Sequence, residues 1–189
     1  MSEEEHHNPW TTLGSRVVYD NPWIKVREDQ VLRPDGLPGI YGVVHFKNKA
    51  VGVLPVDDQG RVWLVGQYRY PLGGYSWEIP EGGGHQDESA EEAALRELRE
   101  ETGLSAGRLE LIARSHLSNS VSDEVAFIFR ATELTAGESE PEGSERLQVR
   151  RVEWSVAWDM LQRGEITDSM SVIALLNEAV RRAEESRKI

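Results

Sequence analysis

The stretch GGGHQDESAEEAALRELREETGL, residues 82–104, decides the fold. Its second half is built to be a helix. Ser89-Ala90-Glu91-Glu92 is a capping box, in which the serine closes the first turn and Glu92 reaches back. Ala90, Ala93, Ala94, Leu95 and Leu98 are strong helix formers, and no Gly or Pro interrupts them before Gly103, which is placed to end the helix in the left-handed region. Along this helix Glu97, Glu100 and Glu101 stand at i, i+3 and i+4, so their carboxylates share one face. Like charges at that spacing cost about 0.2–0.5 kcal/mol per pair. A divalent cation reverses the sign, and clustered carboxylate oxygens suit Mg²⁺ or Mn²⁺. A charge run on a helix is more commonly a solvated face, and this chain has 33 acidic residues to distribute. The loop ahead of the helix separates the two readings: Gly82-Gly83-Gly84 lets backbone come close to a metal ion or phosphate.

The same stretch resembles the Nudix box, the signature of hydrolases that cleave a nucleoside diphosphate linked to another moiety. That pattern asks for Gly, five residues, Glu, seven residues, Arg-Glu, an aliphatic, any residue, Glu-Glu, any residue, Gly and an aliphatic. Gly82, Glu88, Arg96, Glu97, Leu98, Glu100, Glu101, Gly103 and Leu104 meet it without exception. The resemblance implies that Glu97, Glu100 and Glu101 are metal ligands, with the Glu81 carbonyl as a further one, for two or more ions of Mg²⁺ or Mn²⁺. It also implies that Glu88 and Arg96 serve the catalytic centre by tying the glycine loop to the helix. The likeness is tight over the box and loose over about residues 15–180.

Composition bounds the rest. A chain of 189 residues with 39% hydrophobic residues is one globular domain with at most a small appendage. A net charge of −12 disfavours duplex DNA and anionic membranes, so a polyanionic substrate must be met by metal ions and locally placed arginines. The chain has no cysteine, which fits a reducing cytosol, and MSEEEHHNP has no apolar run of a signal peptide, so a cytoplasmic protein is expected.

In chain order, residues 1–14 read as a disordered acidic tail and residues 15–47 as strands broken by turns at Asp20-Asn21-Pro22 and Pro34-Asp35-Gly36. Residues 48–189 hold the main domain, beginning with a hairpin about Asp57-Asp58-Gln59-Gly60. Gln67-Tyr68-Arg69 and Trp77-Glu78-Ile79-Pro80-Glu81-Gly82 resemble runs in the ADP-ribose and nucleotide-sugar branch of the family. Arg69 either holds phosphate with its two-pronged donor or makes a surface ion pair. Trp23 and Tyr68 either stack on a nucleobase or pack, as most of the six tryptophans must. Ser118 to Glu124 is a polar loop expected near the carboxylate helix, and residues 135–145 an acidic loop without core residues. A strand from Leu147, a short helix from Ser155 and a last helix capped by Thr167 or Asp168 complete the chain, the last with an apolar stripe of Val172, Ile173, Leu176 and Val180. Arg181, Arg182, Arg187 and Lys188 suit its negative end.

The fold class implied is α+β, an α/β/α sandwich of the Nudix type with a mixed central sheet and an N-terminal antiparallel β appendage. In the nucleotide-sugar branch such an appendage is exchanged between subunits, so a homodimer is expected. The activity implied is metal-dependent hydrolysis of a nucleoside diphosphate sugar, ADP-ribose first, to a nucleoside monophosphate and a sugar phosphate. Many ADP-ribose-selective members carry a proline soon after the box. No proline stands between Leu104 and Pro141 here, which leaves GDP-mannose, ADP-glucose or broad nucleotide-sugar hydrolysis open. Metal-bound carboxylates are poor proton acceptors, so the general base is expected outside the box, at Glu142 or Glu145, with Glu124 next. A different class, a Nudix-fold sensor that binds a nucleotide sugar without cleaving it, has no need for every carboxylate; all of them are present.

Overall fold

The computed structural model describes residues 7–85, 87–137 and 146–188. The chain falls into two compact units, one reaching through Asn48 and taking in His116–Glu124, the other comprising Lys49–Ser115 and the chain from Val125 on.

In the first unit β1 (Thr11–Asp20), β2 (Ile24–Leu32) and β3 (Pro38–Phe46) form an antiparallel meander in that order. The turn between the first two is set by Asn21, whose side-chain oxygen accepts the N–H groups of Trp23 and Ile24 at 2.9 and 2.7 Å. β1 starts at Thr11, ahead of the expected Ser15, and Trp10 meets Tyr41 edge-on with ring centroids 5.2 Å apart, so the irregular tail is shorter than residues 1–14. β1 is exposed along its whole length, while β2 buries Asp29 and Val31. The loop of residues 118–124 takes hydrogen bonds from β3. Val44 donates to the Val121 carbonyl at 2.8 Å, the Tyr41 hydroxyl to the Ser120 carbonyl at 2.7 Å, and Phe46 N–H to Asp123 at 3.0 Å.

The second unit follows with β4 (Lys49–Pro55), β5 (Val62–Arg69), a single 3₁₀ turn (Tyr70–Leu72), β6 (Gly74–Glu78), β7 (Glu81–Gly84), α1 (Ala90–Thr102), β8 (Leu104–His116), β9 (Val125–Ala136), β10 (Gln148–Val152), α2 (Trp154–Gln162) and α3 (Ser169–Ser186). Its sheets have the orders β10-β5-β6 and β7-β4-β9-β8, and in the latter β4 runs parallel to β9 and antiparallel to β7. Side chains alternate across β4. Val51 and Val53 enter a buried cluster with Ala93, Ala94 and Leu98 of α1, whereas a Cβ added at the intervening Gly52 would stand 2.9 Å from Ile79 and 3.6 Å from Met170 of α3. A helix therefore covers each face of a mixed sheet, which is the α/β/α sandwich expected.

Local sequence explains the helix ends. Ser89 and Glu92 form the reciprocal capping box, and Gly103 closes α1 at φ 72°. Asp168 rather than Thr167 caps α3, accepting Ser171 N–H at 2.8 Å. The face α3 buries differs from the expected stripe: it is Met170, Ser171, Ala174, Leu175 and Glu178, with Leu176 and Val180 exposed. Glu178 is buried because Arg130 and Arg182 each reach it at 2.8 Å. Arg182 also donates to the Gly60 carbonyl and Arg181 to Glu110, so neither serves the helix end as expected. Among the described residues no helix is long and apolar enough to cross a membrane.

Candidate active site

The glycine loop and α1 meet through one side chain. Arg96 donates from Nη2 to Glu88 at 2.7 Å and to the Gly83 carbonyl at 2.9 Å, and from Nη1 to Glu97 at 2.8 Å and Glu100 at 2.9 Å. Hydrogen bonds from Arg96 hold the Glu88 carboxyl down at about 2, from an ordinary 4.5. Glu88 in turn raises the guanidinium above its usual range, with Glu97 and Glu100 adding to the effect. Lys49 secures the loop from the other end, donating to the carbonyls of His85, at 3.0 Å, and Glu88.

β7 distributes its groups by strand alternation. Gly82, paired with Val51, faces α1, and a Cβ there would stand 2.3 Å from the Glu97 carboxylate; only glycine lets the strand pass. Glu81, paired with Gly52, turns its side chain to the α3 face. Its N–H still donates to the buried Glu101 carboxylate at 3.0 Å. The Glu81 carboxyl accepts from Arg69 at 2.7 Å through one oxygen, while the other is buried without a hydrogen-bond partner. Burial and the neighbouring carboxylates of Asp168 and Glu78 push this carboxyl well above its ordinary range.

Arg69, read as a phosphate ligand or a surface ion pair, is held by carboxylates. Glu78, itself buried, takes both Nε, at 3.0 Å, and Nη2, at 2.5 Å. Burial alone would lower the guanidinium, but Glu78 and Glu81 outweigh it and raise it. Tyr68 is exposed on β5, and Trp23 is exposed in the first unit. Glu124 has its carboxyl raised by burial and by Asp123. Glu142 and Glu145 lie outside the described residues.

The structure thus brings Glu88, Arg96, Glu97 and Glu100 into one hydrogen-bonded group, with Glu101 tied to β7 beside it. Among the described residues no three acidic or histidine side chains already converge as a metal cluster, because Arg96 stands between the carboxylates. The donor set is nevertheless one that fits a hard divalent ion: oxygen only, in excess over the one guanidinium, and beside a backbone that a Cβ would keep away. Glu78 and Lys49 leave no local signal in the sequence, since their partners, Arg69 across a hairpin and the carbonyls of His85 and Glu88, lie 9, 36 and 39 residues away.

Comparison with known proteins agrees with this geometry. The NUDIX domain model matches residues 46–173, and the model for a nucleoside diphosphate sugar hydrolase N-terminal domain matches residues 10–44. An ADP-ribose pyrophosphatase of Bacillus subtilis (strain 168) is 30% identical over 179 residues, covering 94% of this chain and 96% of the relative. One of Mycobacterium tuberculosis is 32% identical over 174 residues, covering 87% and 81% respectively. A crystal structure of an ADP compounds hydrolase shares the fold with a TM-score of 0.82 at 23% identity, over 94% of this chain and 95% of that one.

The Glu88–Arg96 pair carries a pH signature. A carboxyl held at about 2 against an ordinary 4.5 adds stability that is present above about pH 4.5 and is lost as pH falls towards 2. In chelator, the thermal midpoint of the wild type is expected to fall more steeply across that window than that of Glu88→Gln, with the two curves converging at the acid end. Parallel curves would show that the pair does not hold the loop.

Proposed function

Because this chain belongs to the Nudix hydrolase family, we propose that it hydrolyses the diphosphate bond of a nucleoside diphosphate sugar, ADP-ribose first, to a nucleoside monophosphate and a sugar phosphate. The observation that carries the substrate class is the match of residues 10–44 to the N-terminal domain of nucleoside diphosphate sugar hydrolases, joined to the NUDIX match. The full-length likeness to two proteins named ADP-ribose pyrophosphatase supports ADP-ribose. The absence of proline between Leu104 and Pro141 favours GDP-mannose or ADP-glucose as a second reading.

Glu97, Glu100 and Glu101 would hold Mg²⁺ or Mn²⁺, which when bound neutralises diphosphate charge and makes a coordinated water more acidic. The chain supplies the rest. Arg96 fixes the loop over α1 and restrains Glu97 and Glu100. Arg69, pinned by Glu78 and Glu81, has a side chain that is 34% exposed and would meet phosphate oxygen with it. As water adds to phosphorus and the bond to the bridging oxygen breaks, a carboxylate outside the box takes the proton, for which Glu142 and Glu145 are the candidates.

Glu101→Gln is expected to lower kcat by several orders of magnitude on the best substrate of a nucleotide-sugar panel while leaving the unfolding midpoint in place. Near-normal turnover at saturating Mg²⁺ would remove Glu101 from the site. Alanine at Glu142 or at Glu145 is expected to reduce kcat about a hundredfold with little change in KM. If the double variant keeps its kcat, the base lies elsewhere and Glu124 is tested next.

A homodimer is part of the same proposal. β1 presents Leu13, Val17, Val18 and Tyr19 to solvent, an apolar strand face that a second copy of the chain would cover. Light scattering at micromolar concentration is expected to give twice the chain mass. A fully active monomer would end this part of the proposal.

A further inference from the structure

Of the three glycines ahead of α1, the box pattern asks only for Gly82. Gly84 answers to a different constraint. It pairs with Lys49 at the end of the β4–β7 ladder, and a Cβ on it would stand 2.8 Å from Lys49 Cγ and 3.1 Å from Ala93 Cβ. The half-buried Lys49 stem therefore passes over a residue that has no side chain to obstruct it. Its ammonium ends on the loop beyond, where Nζ donates to the His85 carbonyl at 3.0 Å and to the Glu88 carbonyl. Two backbone carbonyls three residues apart thus converge on one point, the arrangement by which proteins hold bare cations. Here β4 supplies the cation. The place is a costly one for it, because Glu88 directly precedes the N-cap Ser89 and the dipole of α1 disfavours positive charge at that end. A long side chain also gives up rotamer freedom to be held there.

Glu88 is the residue that Lys49 and Arg96 share. Lys49 holds its backbone, while its carboxylate accepts Arg96 Nη2 and His85 N–H, each at 2.7 Å. Arg96 continues to Glu97 and Glu100. We propose that Lys49 is a positioning residue for the metal-binding face: it fixes the loop at His85 and Glu88 and, through Glu88 and Arg96, the placement of Glu97 and Glu100. This rests on the metal-dependent reading above, and the test keeps the two apart. Charge and position predict opposite signs. By charge alone, a cation beside an acidic face repels a second cation, so its loss would tighten metal binding. By position, its loss frees Glu88, leaves Arg96 to hold the loop from the α1 side, and weakens metal binding.

The chain has no cysteine, so Lys49→Cys gives it a single thiol. The thiolate displaces bromide from 2-bromoethylamine, and the side chain formed differs from lysine by sulfur in place of the γ-methylene. Iodoacetamide gives a neutral amide instead, and wild type treated with each reagent is the control. Hydrogen exchange in chelator reads the loop, and calorimetry with Mn²⁺ and no substrate reads the metal face. In Lys49→Cys and its amide form, the peptide of residues 83–93 is expected to exchange faster than in the wild type. Mn²⁺ is expected to bind both about ten- to a hundredfold more weakly, the usual loss when a group behind a metal ligand is removed. The aminoethylated protein is expected to recover the exchange protection and the wild-type affinity. Unchanged or tighter Mn²⁺ binding in Lys49→Cys, equal recovery by the neutral amide, or no Mn²⁺ binding by the wild type would overturn the proposal. Should Lys49→Cys not fold, Lys49→Met, which keeps an apolar stem over Gly84, replaces it in both measurements; if that variant does not fold either, Lys49 is a folding residue and the proposal falls. A wild type that binds Mn²⁺ but cleaves no nucleoside diphosphate sugar would overturn the proposed activity and leave the role of Lys49 standing on exchange and calorimetry.

Discussion

One guanidinium governs the arrangement of the site. Arg96 meets the Glu88 and Gly83 ends of the loop and the Glu97 and Glu100 carboxylates of α1 at 2.7–2.9 Å, so loop and helix hold a common geometry. The same contacts explain how a helix tolerates acidic groups stacked at i, i+3 and i+4, since Arg96 offsets the repulsion that such spacing creates. It offsets only part of it. Glu88, Glu97 and Glu100 bring three carboxylates to one guanidinium, with Glu101 of the same helix held by the Glu81 N–H, and the negative charge left over suits a divalent ion.

The second constraint is the pleat of β7. Because neighbouring residues of a strand point to opposite faces, Gly82 must face the Glu97 carboxylate, where no side chain fits, and Glu81 must face α3. Gly52 repeats the requirement on β4, where Ile79 and Met170 fill the space that a Cβ would need. Ser171 then locks the layer, its hydroxyl accepting Ile79 N–H at 2.8 Å. The strand thereby serves both faces with consecutive residues, one stripped of its side chain and one carrying a carboxyl.

What was legible in the sequence follows from the range of the interactions. The capping box, the left-handed Gly103 and the shared face of the three glutamates are set by residues within one or two turns, and each stands as the residues imply. The N-terminal strands were legible from apolar alternation and turn residues, although β1 begins at Thr11, ahead of Ser15. The buried face of α3 was not. An apolar stripe is sought by counting hydrophobic side chains, and Glu178 is buried by ion pairs to Arg130, 48 residues away in sequence, and to Arg182. The bonds from β3 to the 118–124 loop escape for the same reason. Local pattern carries no record of partners brought together by the fold.

The overall charge sharpens the importance of these local arrangements. A chain with net charge −12 repels a diphosphate at long range, yet at physiological ionic strength that field is largely screened beyond about 8 Å. Inside that distance the balance is set by specific groups. Arg69 is the cation of the β5–β6 hairpin that Glu78 and Glu81 hold in place, and a guanidinium clamped by two carboxylates contributes orientation more than net charge. On the proposed activity, the attraction that seats a polyanion against an acidic helix would come from cations held by that helix. Acidity that is unfavourable for the substrate alone becomes favourable for substrate and cation together, which makes an acidic protein suited to anionic substrates of this kind.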